Sequence, residues 1–336
     1  MSEDCEKDVR EEKPDLASAN KKKRIAVLKK ALTFCFYILV VVFVFLYFKD
    51  IEWDVLLKVE FNWGMQLGSF LLRMAGLVIL PPAWGVLLKS FGDRLSSKKL
   101  YSIYAQSWIG RYIPGKVAWL GGKIYFAVEE GVDKGTAIIS SFLDSMLQVI
   151  ASLLVAAIFF IIVGPLPNMD GNHVLLTYGI TVALLICLIP AVFNRVVGLV
   201  HRVLKKKSIP TKYHMGGKDI VKSTAIVTVG KVLSGVAVSL LAVAVYPQLT
   251  FSEFIFVIAV NSSATAIGMV ALFAPAGLGV KEGLQMVMLS AVLPREMVLV
   301  VITMASLQSI VVDVVFYLAA RSVLGFKKAS KALPDD

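Results

Sequence analysis

The sequence has little of the side-chain chemistry that most enzymes and metal proteins use. It contains three cysteines and three histidines in 336 residues. Cys5, Cys35 and Cys187 are scattered without metal-ligand spacing, so we expect neither a disulfide framework nor a zinc site. The histidines lie in polar connectors, and none has a Cys, Asp or His at ligand spacing. We expect them to be surface residues.

Enzyme motifs are also missing from the sequence. It has no Gly-rich phosphate loop followed by Lys-Ser or Lys-Thr, no nucleophile elbow and no acidic metal pair. Gly277, Gly279 and Gly283 superficially resemble a dinucleotide loop, but the apolar helical context lacks the βαβ unit that such a loop needs. We therefore predict that the chain is not an enzyme and uses neither a cofactor nor a metal.

Charged residues are few, at 18%, whereas hydrophobic residues make up 57% of the chain. The mean hydropathy is +0.75, and the apolar residues fall in long blocks, which indicates an all-α polytopic membrane protein. The formal net charge is +11. Most Lys and Arg lie in a few hydrophilic segments between apolar blocks, as membrane topology requires, so we expect no nucleic-acid partner.

Apolar blocks and charge together predict about six full membrane spans. The connector after the fourth block carries the densest group of Lys and Arg and is therefore placed in the cytoplasm. Residues 164–173 have no Lys or Arg and are placed outside. Residues 1–30 and 326–336 are predicted cytoplasmic tails, the first of them disordered. The predicted spans cover residues 31–48, 66–88, 135–163, 174–193, 220–246 and 297–320.

Two further segments, 101–134 and 251–294, must make no net crossing if this charge pattern holds. Each contains a Pro-Gly breaker among apolar residues, so we predict two re-entrant helical hairpins, which gives eight segments if hairpins are counted as spans. Within a membrane domain at 31–325, units of about 66–163 and 220–320 then form an inverted repeat. Inverted repeats with broken helices are typical of secondary transporters. The residues leave open whether the hairpins re-enter or cross.

The two breakers are the predicted working site, because irregular backbone survives at membrane depth only where it is buried in protein or lines a wet cavity. A cation at the bilayer centre costs about 2.5–3.5 kcal/mol on insertion scales, so each cation should have a partner or water. We expect the cations and the glycines at the breakers to bind a phosphate group. The alternative is that some of these cations only extend to the membrane interface near the mouth of a hairpin. The candidate substrate-binding residues are Arg111, Pro114, Gly115, Lys116, Lys123, Pro275, Gly277, Gly279, Lys281 and Glu282.

A second set of candidates consists of polar residues inside predicted spans. A buried carboxylate can change its charge as its partner moves, so these residues suit substrate contact or proton coupling. They equally suit structural ion pairs between helices, and the sequence leaves both interpretations open. The set comprises Arg73, Asp144, Gln148, Lys231, Asn261, Gln308 and Asp313.

The breaker motifs carry a family resemblance. Gly110-Arg111-Tyr112-Ile113-Pro114-Gly115-Lys116 and Pro275-Ala276-Gly277-Leu278-Gly279-Val280-Lys281-Glu282-Gly283 resemble paired signatures of the transmembrane, flippase-like domain of lysylphosphatidylglycerol synthases. The resemblance spans most of residues 30–325. It implies a multi-pass protein of the prokaryotic inner membrane, with both termini cytoplasmic, that moves a lipid or lipid-linked group between leaflets. The synthases carry a large soluble aminoacyl-transfer domain after the membrane part. Because few residues follow residue 325 here, we expect a stand-alone member of the family without that domain.

We therefore expect a lipid translocase that binds an anionic phosphate head group between the hairpins. Its partner would be a phospholipid or a polyprenyl-phosphate carrier, and an oligomer is compatible with the sequence. The alternative is a non-transporting accessory subunit that presents a lipid carrier to a separate glycosyltransferase or other lipid-modifying enzyme. An intramembrane transferase would need a catalytic pair that the sequence does not show. Cargo, direction and coupling ion stay open.

Overall fold

The structure is a computed structural model that describes residues 62–112, 117–164, 186, 195, 216–271, 277 and 279–324. All regular elements in this part of the chain are helical, which confirms the all-α prediction. A 3-10 turn, η1, at Ile109–Tyr112 follows α3. The α-helices are α1 (Trp63–Val78), α2 (Leu80–Ser90), α3 (Ser97–Trp108), α4 (Val117–Glu129), α5 (Lys134–Val163), α6 (Gly217–Val245), α7 (Phe251–Val270), α8 (Val280–Leu289) and α9 (Arg295–Leu324).

Five apolar stretches among the described residues are long enough to cross a membrane by length and composition. Four of them, Trp63–Ser90, Lys134–Val163, Gly217–Val245 and Arg295–Val323, coincide with predicted spans. The predicted span at 31–48 and both predicted tails lie outside the described residues, and so does the predicted span at 174–193 apart from residue 186. The fifth stretch is α7, the first arm of the second predicted hairpin, so re-entry of the hairpins stays a prediction.

Prolines divide the first of these stretches into two helices. Pro81 and Pro82 occupy the first turn of α2, and Ile79 joins it to the end of α1. Proline is tolerated in a first helical turn because the N–H that it lacks has no intrahelical acceptor there. The two prolines therefore mark a junction between two helices of one apolar stretch.

Each predicted hairpin contains two helices that contact each other, α3 with α4 and α7 with α8. In the first pair, a Cβ at Gly110 would lie 2.8 Å from the backbone of Trp119, so only glycine lets η1 pack against the start of α4. In the second pair, Gly277 and Gly279 have φ angles of +78° and +84°. Glycine adopts this left-handed region without steric cost, and both residues form the turn that leads into α8.

The order of elements repeats along the chain. A long apolar stretch, a pair of helices around a breaker and another long helix occur first in α1–α5 and again in α6–α9; the first stretch consists of two helices, α1 and α2, in the first case and of α6 alone in the second. Close packing of α1 on α6 joins the two units, since a Cβ at Gly76 would lie 2.7 Å from the carbonyl oxygen of Gly230. The predicted repeat units and their opposite orientation stay predictions.

Candidate functional site

A cavity of about 140 Å³ lies where the described helices meet. Every helix from α1 to α9 contributes at least one lining residue, so the cavity is built from both units of the repeat. It brings together seven residues that the sequence marked as candidates, which are Arg73, Arg111, Gln148, Lys231, Asn261, Lys281 and Asp313. Trp108, Trp119 and Ser309 are among the other lining residues.

The cavity lining has an excess of positive charge. Among the described residues its ionisable side chains are Arg73, Arg111, Lys231, Lys281 and the single acid Asp313. Four cations against one carboxylate leave three formal positive charges. Uncompensated charge in an apolar surrounding is costly, so this lining is complementary to an anion.

Arg111 is held by the one acid. Its Nε lies 3.4 Å from Asp313 Oδ2, and its Nη2 donates to Ser309 Oγ at 3.5 Å. Asp313 also accepts hydrogen bonds from Trp108 Nε1 at 2.9 Å and from the Tyr112 hydroxyl at 2.5 Å. The Arg111 guanidinium lies over both aromatic rings, 4.9 Å and 5.3 Å from their centroids. Asp313 on α9 thereby holds η1 in place, and η1 contains the described residues of the first motif.

Arg73 is buried with most of its hydrogen-bonding capacity unused. Its side chain is 6% exposed, and Nη1 donates to the carbonyl oxygen of Ala305 at 3.0 Å. Its Nε and Nη2 atoms have no hydrogen-bond partner among the described residues. A buried donor without a partner normally costs about 1–3 kcal/mol, and more when it is charged. Arg73 is therefore a cation of the lining whose hydrogen-bonding capacity is largely unsatisfied by the described residues.

The two lysines of the lining differ in their partners. Lys231, on α6, donates to Gln148 Oε1 at 3.3 Å. Lys281, at the start of α8, is half-buried and has no ion pair or hydrogen bond with a described residue. Its neighbour Glu282 points elsewhere, because it accepts from the Gly279 backbone N–H at 2.7 Å and from Ser306 Oγ at 2.9 Å. Glu282 thus caps α8 and ties it to α9, while Lys281 faces the cavity.

Lys123 and Asp144 form a separate buried ion pair outside the cavity lining. Their side chains are 1% exposed and approach to 2.6 Å. The Lys123 ammonium also lies 4.5 Å from the Trp84 ring centroid and 4.3 Å from that of Tyr104. With its charge compensated in this way, Lys123 has the geometry of a structural residue. For Asp144 this placement favours the ion-pair alternative. Lys123 is buried and paired within the fold, so it is not a cation that reaches the membrane interface.

Gln148 links that ion pair to the cavity. Its Nε2 donates to Asp144 Oδ2 at 3.1 Å and to the Tyr104 hydroxyl oxygen at 3.0 Å. An ionised carboxylate only accepts hydrogen bonds, so Asp144 requires the NH₂ end of the amide to face it. The carbonyl end of Gln148 must then face the other way, where it accepts from Lys231. The buried pair thereby sets the orientation of a cavity residue.

The remaining candidates have structural surroundings or lie outside the described residues. Gln308 accepts from Ser69 at 3.0 Å and donates to the Gln66 carbonyl oxygen at 3.4 Å, which ties α9 to α1. Gly277 and Gly279 form the turn before α8 and do not line the cavity. Asn261 lines the cavity and accepts from Gln285 Nε2 at 3.2 Å. Pro114, Gly115, Lys116 and Pro275 lie outside the described residues.

The sequence reasoning missed the aromatic part of the site. Trp108 and Trp119 pack edge to face, 5.4 Å between ring centroids, and both line the cavity. Their positions just before and just after the first motif could have indicated this role. Tryptophan is usual at the membrane–water interface, whereas these two residues flank a breaker that is predicted to lie at membrane depth. Ser309, four residues before Asp313 on α9, lies on the same helix face and was also missed.

A comparison with protein families identifies the chain. A model described as the lysylphosphatidylglycerol synthase TM region matches residues 25–316. The chain belongs to this family. No curated protein matches it in a sequence search. Family membership and the apolar helices show a multi-pass membrane protein and indicate a function related to membrane lipids.

Proposed function

We propose that this member of the lysylphosphatidylglycerol synthase TM family is a lipid translocase that binds an anionic phosphate head group in the cavity. The observation that carries the proposal is the lining itself, with four cations and a single acid enclosed among apolar helices. Such a charge excess persists in a membrane protein only if an anion or water compensates it. Membrane lipids supply phosphate, and the acyl chains would stay in the surrounding bilayer.

The positions of the cations on the fold support transport rather than static binding. Arg111 belongs to the first breaker motif and Lys281 to the second, and both line one cavity. In transporters with repeated units, substrate sites lie between the units at broken helices, so that movement of one unit against the other changes access. The sequence has no ATPase motif, so transport would be downhill or coupled to an ion.

A vesicle assay with the purified full-length protein tests the proposal. A phospholipid with a fluorescent acyl chain is distributed in both leaflets, and dithionite then bleaches the outer one. We expect wild-type protein to make the inner pool accessible, and Lys231→Met to slow this by about tenfold or more, since each 1.36 kcal/mol lost in the transition state is tenfold in rate. Lys222→Met is the matched control, because Lys222 lies on the same helix and is exposed.

The outcome separates the alternatives. If wild-type vesicles bleach no further than protein-free ones while the protein retains lipid, the accessory-subunit function is the better description. If a covalently changed lipid accumulates, a transferase replaces both. The proposal also includes residence in a prokaryotic inner membrane with cytoplasmic termini, which reporter fusions at each terminus would test directly.

A further inference from the structure

We propose that the cavity selects head groups with about two negative charges, namely a phosphate monoester or a diphosphate, and discriminates against singly charged phosphodiesters and amine-bearing head groups. This inference rests on the proposed role of the cavity in binding a phosphate head group. It adds which class of lipid the site accepts, and it makes Arg73 the residue that anchors the phosphate.

The first step of the argument is the free edge of Arg73. Its Nη1 is held by the carbonyl oxygen of Ala305, while Nε and Nη2 lack partners in the described part of the chain. These two nitrogens lie on one edge of the guanidinium, and that edge makes the two parallel hydrogen bonds of a bidentate Arg–phosphate contact. Because Arg73 lines the cavity and is 6% exposed, the edge is fixed and shielded from bulk water.

The second step is the charge count. The described lining carries three formal positive charges after Asp313 is subtracted. A phosphodiester brings one negative charge, whereas a phosphate monoester brings about 1.5 to 2 at pH 7. Two unit charges 4 Å apart interact by several kcal/mol at an effective dielectric constant of about 20. The second negative charge of a monoester should therefore strengthen its binding in this cavity substantially.

The third step concerns head groups that carry an amine. An ammonium group in the cavity would need a carboxylate, and the described lining has only Asp313. That acid already receives Arg111, Trp108 and Tyr112. An aminoacylated phospholipid would therefore add a cation to a lining whose described part has no further carboxylate to receive it. The lining of this family member is complementary to an anionic lipid and opposed to a cationic one.

A competition experiment tests this selectivity with lipids that share their acyl chains. Purified full-length protein in mild detergent is mixed with equal amounts of dioleoyl phosphatidic acid, dioleoyl phosphatidylglycerol and lysyl-dioleoyl-phosphatidylglycerol, and native mass spectrometry measures retention. We expect phosphatidic acid, the monoester, to be retained at least about tenfold over each of the others. Equal retention of phosphatidic acid and phosphatidylglycerol, or preferential retention of the lysyl lipid, overturns the inference.

Variants test the anchor. Arg73→Lys keeps the charge but loses the bidentate edge, and we expect it to weaken phosphatidic acid binding by about tenfold or more, as for a lost hydrogen bond to a charged group. Lys281→Gln should weaken it as well, and Lys281 has no described partner whose loss would unfold the protein. Exposed Lys222→Met is the control. Unchanged binding in both folded cavity variants would refute the assignment.

Two further measurements complete the test. The first distinguishes a lipid phosphate from a soluble phosphate, and the second distinguishes failure of the proposed selectivity from failure of the proposed transport. If inorganic pyrophosphate displaces phosphatidic acid at equal concentration, the site takes a soluble anion and the lipid assignment is overturned. In the vesicle assay, equal translocation of monoester and diester lipids would leave the proposed transport intact and refute the selectivity. Selective retention of the monoester without movement would support the selectivity and refute transport.

Discussion

The buried pair of Lys123 and Asp144 allows a quantitative prediction of stability. Lys123 is fully buried, 2.6 Å from a carboxylate that is itself buried. Replacing Lys123 with methionine keeps most of the side-chain volume and removes the charge. The carboxylate then keeps only neutral donors, from Tyr104 at 3.3 Å and Gln148 at 3.1 Å. Loss of one partner of a buried pair costs about 3–5 kcal/mol, and we expect Lys123→Met to fall in this range.

The reverse change should cost less, because the cation has other partners. In Asp144→Leu the Lys123 ammonium still lies over the rings of Trp84 and Tyr104. A desolvated cation–π contact is worth about 2 kcal/mol, which offsets part of the lost ion pair. The double variant leaves no unpaired charge, and replacing a whole buried pair by apolar residues is often neutral or stabilising. We therefore expect the double variant to be more stable than Lys123→Met.

Thermal unfolding of the purified protein in one detergent measures these differences. A double-mutant cycle isolates the coupling between the two residues, since their separate effects cancel. We expect a coupling free energy of about 2 kcal/mol or more. Additive effects of the two single changes would refute the assignment of a structural ion pair. In that case Lys123 would again be a candidate for contact with substrate.

Two further predictions concern packing and charge. Gly76→Ala places a Cβ 2.7 Å from the Gly230 carbonyl oxygen, so α1 and α6 must separate, and we expect thermal unfolding to show a loss of about 1–3 kcal/mol in the free energy of unfolding. Gly121→Ala is the control, because nothing lies within 4 Å of its Cβ, and it should be neutral or slightly stabilising. Equal effects of the two changes would contradict the packing argument. Asp313→Asn removes the one acid of the described lining, so retention of phosphatidic acid in native mass spectra should rise; a fall would show that the carboxylate is needed to hold Arg111 for binding.

The helices were predictable because their apolar blocks are long. A block of 30 residues such as Lys134–Val163 buries its backbone polar groups internally and tolerates few charges, so composition alone locates it. The ends of the helices were less predictable where capping interactions determine them. The junction at Ile79 depends on prolines in the next turn, whereas the start of α8 depends on Glu282, which caps the backbone at Gly279. The break before α8 was expected as an irregular point, but the side chain that caps it becomes evident only in the folded structure.

The location of the site was partly predictable for the same reason. Costly residues inside apolar blocks indicate function, and seven of the marked residues do line one cavity. The pairing was not predictable, because the partners lie far apart in sequence. Arg111 pairs with Asp313 across the two units, while Asp144 pairs with Lys123 within one unit. A pattern of single residues carries no information on which acid neutralises which cation.

Lys123 and Lys281 show what separates a structural cation from a candidate binding residue. Both lie on the helices next to the breaker motifs, and a sequence offers no physical ground to distinguish them. Lys123 has a carboxylate at 2.6 Å and two aromatic rings, so its charge is compensated within the fold. Lys281 has no described ion-pair partner and faces a cavity with a charge excess. Since an uncompensated charge is costly inside a membrane, the compensation for Lys281 must come from outside the described helices. The proposed phosphate head group would supply it, and the same criterion applied to Arg73 makes Arg73 a candidate for the same contact.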